Sequence, residues 1–515
     1  TIAAKMTDVP GHTRSIIDPM YDAGIRLLHV GINSACPLPS VPTFCRWRSP
    51  SGNDLLLVYQ KDYGEDEVLP DGKTVVSINF TGDNHGPHSY ERVKKIYADL
   101  RKRYPQAQLV GASFNDVTRE LLLIKKDLPV VTSEIGDTWI FGYGGAPIRM
   151  AKFRAVSRLY SQWLNEGKIK KDSDVALDFA AELGLIAEHT QGVDVKTHLR
   201  QWDKYDMDKF LKGRSEGVFS MAEASWKEID NYIDSAIAFL PASLQKEARE
   251  VVAEVDKVKL EDNSKMKPMA RKRWEQPIAG GMTLAGLSYQ MFDGDDYDDF
   301  QNRYLRARYE WALDDLGKRG LKESHAVSVT LYAQTMAQSV RKEKKGTRII
   351  TELRFPENEK VDKRVYPERI QVNCFTTKNG KRSEVALTVY GKPAVRLPES
   401  YWLSFTVPGI ESVIAEKMGE RVDLMDVVEK GNRQMHGIDR YVDLITSGET
   451  IRISSKEAFL LNVGEAQGLN YSTNYPDKRK GVHFNLNNNL WGTNFSMWNE
   501  GSLTYHFVIE TLNHK

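Results

Sequence analysis

Strand-length apolar runs alternate with helical patterns through the first 150 residues, and this alternation constrains the fold more than any other feature of the chain. The apolar runs fall at 2–7, 26–31, 54–60, 74–80, 108–113 and 129–133. Helical spacing fits between several of them, at 13–23, 89–103 and 116–125. In the second helix Val93, Ile96, Tyr97 and Leu100 share one face, and Ser89 stands where an N-cap belongs. Repeated β-α units predict a parallel sheet or barrel with buried strands. Polar residues gather just past the predicted strand ends: Asp8, Asp83, and Glu134 with Asp137. Sites of parallel α/β folds collect at the carboxyl ends of strands, so these three clusters mark the candidate rim. The loop predicted at 36–48, with Phe44 and Trp47, adds aromatic surface there.

The pattern changes twice along the chain. From about 148 it turns helical: Phe153, Val156, Leu159, Tyr160, Trp163 and Leu164 form one apolar stripe, and Phe179, Leu183, Ile186 and His189 another. Helices at about 222–238 and 244–257 complete a predicted bundle. The charged segment 257–274 reads as a linker. After about 276 the runs "SHAVSVTLYAQTM", "TRIITELRF", "ERIQVNCFTT", "EVALTVYG", "YWLSFTVPG", "RISSKEAFLLNVG" and "SLTYHFVIETL" place β-formers between turn signals. They predict one large antiparallel sandwich or two smaller ones. "GDDYDDF" at 294–300 lacks the spacing of an EF-hand loop and reads as an exposed helix start. The expected architecture is multidomain α/β plus all-β: a partial β/α barrel over 1–147, a helical bundle over 148–262 and a β-sandwich over 263–515.

Composition narrows the function classes. At 515 residues the chain exceeds one core. Its 71 basic and 70 acidic side chains leave a net charge of +1, so no strong overall field draws it to nucleic acid or an anionic membrane. No apolar run approaches the ~20 residues that span a bilayer. The three cysteines, Cys36, Cys45 and Cys374, form neither a disulfide framework nor a Cys-rich zinc site, and are expected as buried free thiols rather than a Cys36–Cys45 bridge. A homo-oligomer is compatible with this composition, and no compartment is assigned. The chain opens at Thr1 directly on a predicted strand, which reads as a processed or truncated start.

Three residues carry the candidate chemistry. Asp8, in "MTDVPGHT", and Asp83, in "TGDNHGPHS", follow predicted strands; His189, in "AEHTQGVD", shares the apolar face of a predicted helix. Each alone also fits a structural role, since a strand-end Asp caps the next helix and a core His bonds its neighbours. Asp137 and Trp139, in "EIGDTW", are placed to hold a sugar by bidentate hydrogen bonds and ring stacking. His12 braces its own turn and is the remaining candidate for substrate contact. Trp47 and Tyr63 are read as rim aromatics that pack rather than bind, and Trp491 and Trp498 as sandwich core.

"MTDVPGHT", "TGDNHGPHS" and "AEHTQGVDVKTHL" resemble, in order, segments of the glycoside hydrolase family 38 α-mannosidases. "TSEIGDTWIFG", "AEHTQG" and "HFNLNNNLWGTNF" resemble an uncharacterised bacterial family related to them. The resemblance covers nearly the whole chain. It implies a (β/α)7-type barrel and a retaining, zinc-dependent hydrolysis of an α-linked sugar. Asp8 would be both nucleophile and zinc ligand, His189 a second zinc ligand, and Asp83 the general acid/base.

The chain departs from the family at two places. No His-x-Asp pair stands where a first barrel strand would supply two more zinc ligands, so roughly the first quarter of a parent protein is expected to be missing. Pro10 occupies a position where the mannosidases carry an aromatic ring, which loosens the inference to mannose. Two alternatives follow: a carbohydrate-binding or structural protein that kept the fold without the chemistry, and a metal-dependent polysaccharide deacetylase-like hydrolase using His85 and His88.

Overall fold

In the computed structural model, residues 1–82, 85–262, 264, 266–271, 273–492 and 494–512 are described, apart from the side chains of 270 and 271. The N-terminal strands are β1 (Ala3–Asp8), β2 (Leu27–Ile32), β3 (Phe44–Arg48), β4 (Asp54–Gln60), β5 (Asp66–Val68), β6 (Val75–Ser77) and β7 (Val130–Val131). Among the described residues five of them form one sheet in the order β1-β2-β4-β3-β7. β1, β2 and β4 run parallel, β3 is antiparallel to β4, and β7 is parallel to β3. Every residue of β2 and of β4 is buried, as continuous apolar strands in the middle of a covered sheet must be. At the edge, β1 leaves Met6 38% exposed.

This sheet is open and mixed, and several predicted strands are shorter or absent. Residues 44–48 form a strand rather than the expected loop, because Cys45 and Trp47 are fully buried while Arg46 and Arg48 alternate outward. Only three residues of 74–80 are strand, and they pair antiparallel with β5 outside the main sheet. No strand forms over 108–113, where Val110 is 70% exposed: the run is apolar in sequence but has no sheet to bury it. At 129–133 only Val130–Val131 pairs.

Helices α1 (Ile17–Asp22), α2 (Tyr90–Arg103) and α3 (Phe114–Leu123) accompany the sheet. Ser89 Oγ accepts from the Arg92 N–H at 3.2 Å and caps α2 as expected. Of the predicted α2 face, Leu100 is buried whereas Val93 stays 37% exposed.

The bundle comprises α4 (Pro147–Asn165), α5 (Asp174–Gly184), α6 (Val195–His198), α7 (Met207–Ser215), α8 (Ser220–Ala238) and α9 (Ala242–Asp256). Val156 and Trp163 of α4, Phe179 and Leu183 of α5, and Ile233 and Ile237 of α8 share its core, close to the stripes read from the sequence. Arg149 is buried at the centre. Its Nε lies 2.6 Å from Asp230 Oδ1, Nη1 donates to Gln191 Oε1 at 3.0 Å, and Nη2 donates to the Trp226 carbonyl at 2.9 Å.

The remainder is antiparallel β with two helical inserts, α10 (Gly294–Tyr304) and α11 (Glu310–Asp315). Among the described residues a ten-stranded sheet runs from Glu420–Asp423 at one edge to Lys267–Arg271 at the other. That edge strand lies inside the segment expected as linker. A seven-stranded sheet has Glu399–Thr406 between Thr283–Met291 and Val482–Asn488. Aromatics from both sheets interleave in one core: Phe405 and Phe484 of the second meet Phe507 of the first, with ring centroids 5.4 and 5.1 Å from it. "GDDYDDF" does open a helix. Asp293 caps α10, and Tyr297 and Phe300 are buried rather than exposed.

The three parts are bolted together. Glu134, beyond β7, accepts from Thr13 Oγ1 at 3.0 Å and the Arg14 N–H at 2.8 Å, and pairs with Lys417 Nζ of the sandwich at 2.7 Å. Arg14 pairs with Asp426 at 2.8 Å. All three cysteines are buried and free, as the sequence predicts. Among the described residues no helix is long and apolar enough to cross a membrane.

Candidate functional site

Asp8 is the last residue of β1, and its backbone leaves the strand at φ 88°. A non-glycine residue held there costs on the order of 1–3 kcal/mol, which surrounding structure must impose. The Asn33 N–H donates to the Asp8 carbonyl at 2.8 Å, and the Tyr59 hydroxyl donates to the Pro10 carbonyl at 2.8 Å. His12 and Ile135 exchange backbone hydrogen bonds at 2.8 and 3.1 Å. A Cβ on Gly11 would lie 2.7 Å from Asp137 Cβ, so glycine there lets the turn seat on the Asp137 backbone. The "DVPGH" turn is thus pinned between β2, β4 and residues 135–137.

The Asp8 carboxylate is divided between two sets of neighbours. Oδ1 accepts from Asn33 Nδ2 at 2.9 Å and from the Tyr63 hydroxyl. Oδ2 faces His189 Nε2 at 3.3 Å. Burial pushes the Asp8 pKa up, but hydrogen bonds from His189, Tyr63 and Asn33 outweigh it and hold the group below its ordinary value. Burial pulls His189 down, but its bond to Asp8 and the Glu188 and Asp8 charges carry it above 6.5. Both side chains keep access to solvent, at 21% and 30% exposure.

His189 does not lie on the apolar face of a helix, as its spacing suggested. It follows the short turn at 185–187, where the chain has already left α5. The loop is held by its own carbonyls: Tyr143 Oη donates to those of Ala187 and Glu188 at 2.7 and 2.9 Å, and Gln191 Nε2 donates to those of Ile186 and Glu188 at 2.8 and 2.9 Å. Glu188 meets the other ring nitrogen, Nδ1, and fixes the ring orientation. Buried Arg149, through Gln191, connects this loop to the bundle core.

Trp139 walls the site, its ring centroid 6.1 Å from His189 and 5.9 Å from Trp491. Its indole N–H donates to the Tyr304 hydroxyl at 2.8 Å. Tyr304 Oη in turn lies 3.0 and 3.2 Å from the two Asp137 oxygens. Asp137 is therefore not open to a sugar. It is 8% exposed and also accepts the Thr138 and Trp139 backbone N–H groups at 2.6 and 3.1 Å. Burial pushes its pKa up to about 7 despite those bonds. Its role is to hold Trp139 through Tyr304, which corrects the expectation of bidentate sugar contact.

His12 spends Nε2 on the Val9 carbonyl at 3.2 Å, and burial takes its pKa down to about 4. That bond is the turn-bracing role expected of it. Trp47 is fully buried and donates to the Ser133 carbonyl at 3.0 Å, so it is core rather than rim. Trp498 is core among Phe210, Phe219 and Trp226. Trp491 belongs both to the core and to the Trp139 wall. Asp83 lies outside the described residues. His88 bonds the Asn79 carbonyl at 3.0 Å.

Tyr63, Asn33 and Tyr304 escaped the sequence reading as site residues. Asn33, directly after β2, had a legible signal as a polar residue at a parallel strand end. Tyr63 reads in the sequence only as a packing rim aromatic and Tyr304 carries no signal, because their reach depends on a turn and on a helix inserted far along the chain.

Zinc asks for three protein ligands in catalytic sites and four in structural ones. Asp8 and His189 supply two donors, and among the described residues no group of three or more His, Cys, Asp or Glu side chains could hold a metal ion. These residues do not by themselves fit a zinc ion.

The profile of a domain of unknown function (DUF5054) matches residues 144–278. No curated protein matches the chain. Among solved structures, an alpha-mannosidase from Enterococcus faecalis V583 is similar at 9% identity and a TM-score of 0.54, over 99% of this chain and 74% of that one. A glycosyl hydrolase family 38 protein from Enterococcus faecalis is similar at 9% identity and a TM-score of 0.42, over 99% and 72%. The first of these likenesses shows that the chain shares the fold of that alpha-mannosidase along nearly its whole length.

Proposed function

We propose that this chain carries the nucleophile of a retaining glycoside hydrolase that acts on an α-linked sugar, α-mannosidase-like, with a carbohydrate as its substrate. The carrying observation is the ionised Asp8, turned out of its strand by strained backbone, with Oδ1 held by Tyr63 and Asn33 and Oδ2 facing solvent-accessible His189. A carboxylate kept charged and oriented is what attack on an anomeric carbon requires. The fold likeness to an alpha-mannosidase supports the same reading.

In this proposal Asp8 attacks the anomeric carbon while Asp83 protonates the leaving oxygen; Asp83 then activates water to release the sugar. The two carboxyl groups would stand ~5–5.5 Å apart. Trp139 offers its ring as the apolar wall. Asp8 and His189 would offer two ligands to Zn2+, fewer than a catalytic zinc site uses. The incomplete donor set favours a second reading, a carbohydrate-binding pseudoenzyme on the same fold.

Hydrolysis of aryl α-mannosides and other aryl α-glycosides by the protein, beside its Asp8→Asn and Asp83→Asn variants, tests the assignment. Loss of turnover in both, with retained anomeric configuration in the product by NMR, supports it. Turnover unchanged in both variants sinks the mechanism, and sugar binding without turnover by the intact protein supports the second reading.

A further inference from the structure

A small cavity of about 20 Å³, room for the centres of one or two water-sized spheres, lies where the bundle, the α11 insert and the sandwich meet. Lys196, Lys318, Arg319, Arg396 and Asp314 line it together with aromatic and apolar groups. Two of the four cations are neutralised by their own partners. Lys196 pairs with Asp315 at 2.8 Å and Asp194 at 3.0 Å, and Arg319 pairs with Asp314 at 3.3 Å.

The other two have no such partner. Arg396 is 2% exposed, and no carboxylate among the described residues forms an ion pair with it. Its Nη1 reaches only the Trp202 carbonyl, at 3.4 Å, and its Nε is buried without a hydrogen-bond partner. The guanidinium lies over the Tyr205 and Phe219 rings at 4.1 and 5.2 Å. Asp203 attracts it from the surface without pairing. Lys318 Nζ donates to the Trp491 carbonyl at 2.9 Å and forms no ion pair among the described residues.

A buried charge without a counter-charge is among the costliest arrangements in a folded chain. Ring faces and single carbonyls solvate it only partly. We infer that the cavity between Lys318 and Arg396 is a binding site for one small monovalent anion of the halide class. The small volume suits a monatomic ion better than sulfate, phosphate or a sugar acid. Such an ion would accept from Arg396 Nε and Lys318 Nζ at once and neutralise the junction of the three parts. Burial and the Arg396 charge take the Lys318 pKa down to about 7, and a bound anion would reverse that.

The test uses sodium bromide with the whole chain. Crystals grown in bromide should show an anomalous peak in the cavity between Lys318 and Arg396. At equal ionic strength, the thermal midpoint should rise by about 2–4 °C in bromide or chloride over gluconate, since only the folded chain binds the ion. Lys318→Met should abolish that difference. Arg396→Met should do so too, but it removes a core side chain and can fail to fold, so the crystallographic peak and Lys318→Met carry the decision. Water-level density in the cavity with bromide elsewhere on the surface, or a halide shift equal in Lys318→Met, would overturn the inference.

Discussion

His189 Nε2 stands 3.3 Å from Asp8 Oδ2 although one residue comes from a helical-bundle loop and the other from the first strand of the chain. The contact is supported on both sides: Tyr63 and Asn33 hold the carboxylate, Glu188 and Gln191 the imidazole and its loop. Hydrogen bonds to charged groups contribute about 1.5–3 kcal/mol each. Tyr63→Phe should leave the fold intact, raise the Asp8 pKa and, on the proposed function, lower kcat by roughly 10- to 100-fold. Titration of Asp8 by carboxyl NMR together with steady-state kinetics checks both; an unmoved pKa removes Tyr63 from the site.

Asp137 gives a pH signature in the opposite sense to an ion-paired carboxylate. Its folded pKa is raised to about 7 from 3.8 by burial. Between those values the unfolded chain has released the proton while the folded chain retains it, so stability falls as pH rises through that window and is level above it. The shift corresponds to about 4 kcal/mol as an upper bound. Asp137→Asn should flatten the slope, and the difference between wild-type and variant urea midpoints from pH 4 to 8 reads it directly.

Glu134 and Lys417 fasten the first sheet to the sandwich from half-chain distances, at 6% and 12% side-chain exposure. Lys417→Met should destabilise by about 3 kcal/mol, because it strands a buried carboxylate. Adding Glu134→Gln should recover part of that loss; a fully additive double variant would mean that the two side chains are not coupled.

Zinc should bind this chain weakly. Among the described residues two donors meet at Asp8 and His189, and a tight site needs more. After dialysis the protein should carry well under one zinc per chain by elemental analysis, and His189→Ala should weaken what binding remains. Stoichiometric zinc that survives a chelator would require further ligands and would overturn this expectation.

Local pattern determined much of the architecture. The continuous apolar runs of β2 and β4, the stripe of α4, the first half of the α5 stripe, the Ser89 cap and the β-former runs after 276 became the elements they spell, because period and capping act within a few residues. Where a pattern needed a distant partner, it misled: 108–113 finds no neighbouring strand, and 44–48 becomes one by pairing with β4. Asp8 is legible as a carboxylate where a strand breaks, and His189 as an imidazole misplaced by its spacing onto the apolar face of a helix that ends before it. Their meeting, the burial that diverts Asp137 from a ligand to a brace, and the arrival of Tyr63 and Tyr304 were decided only when remote segments packed. Contacts and desolvation depend on neighbours in space, and nothing in a residue's sequence surroundings names those neighbours.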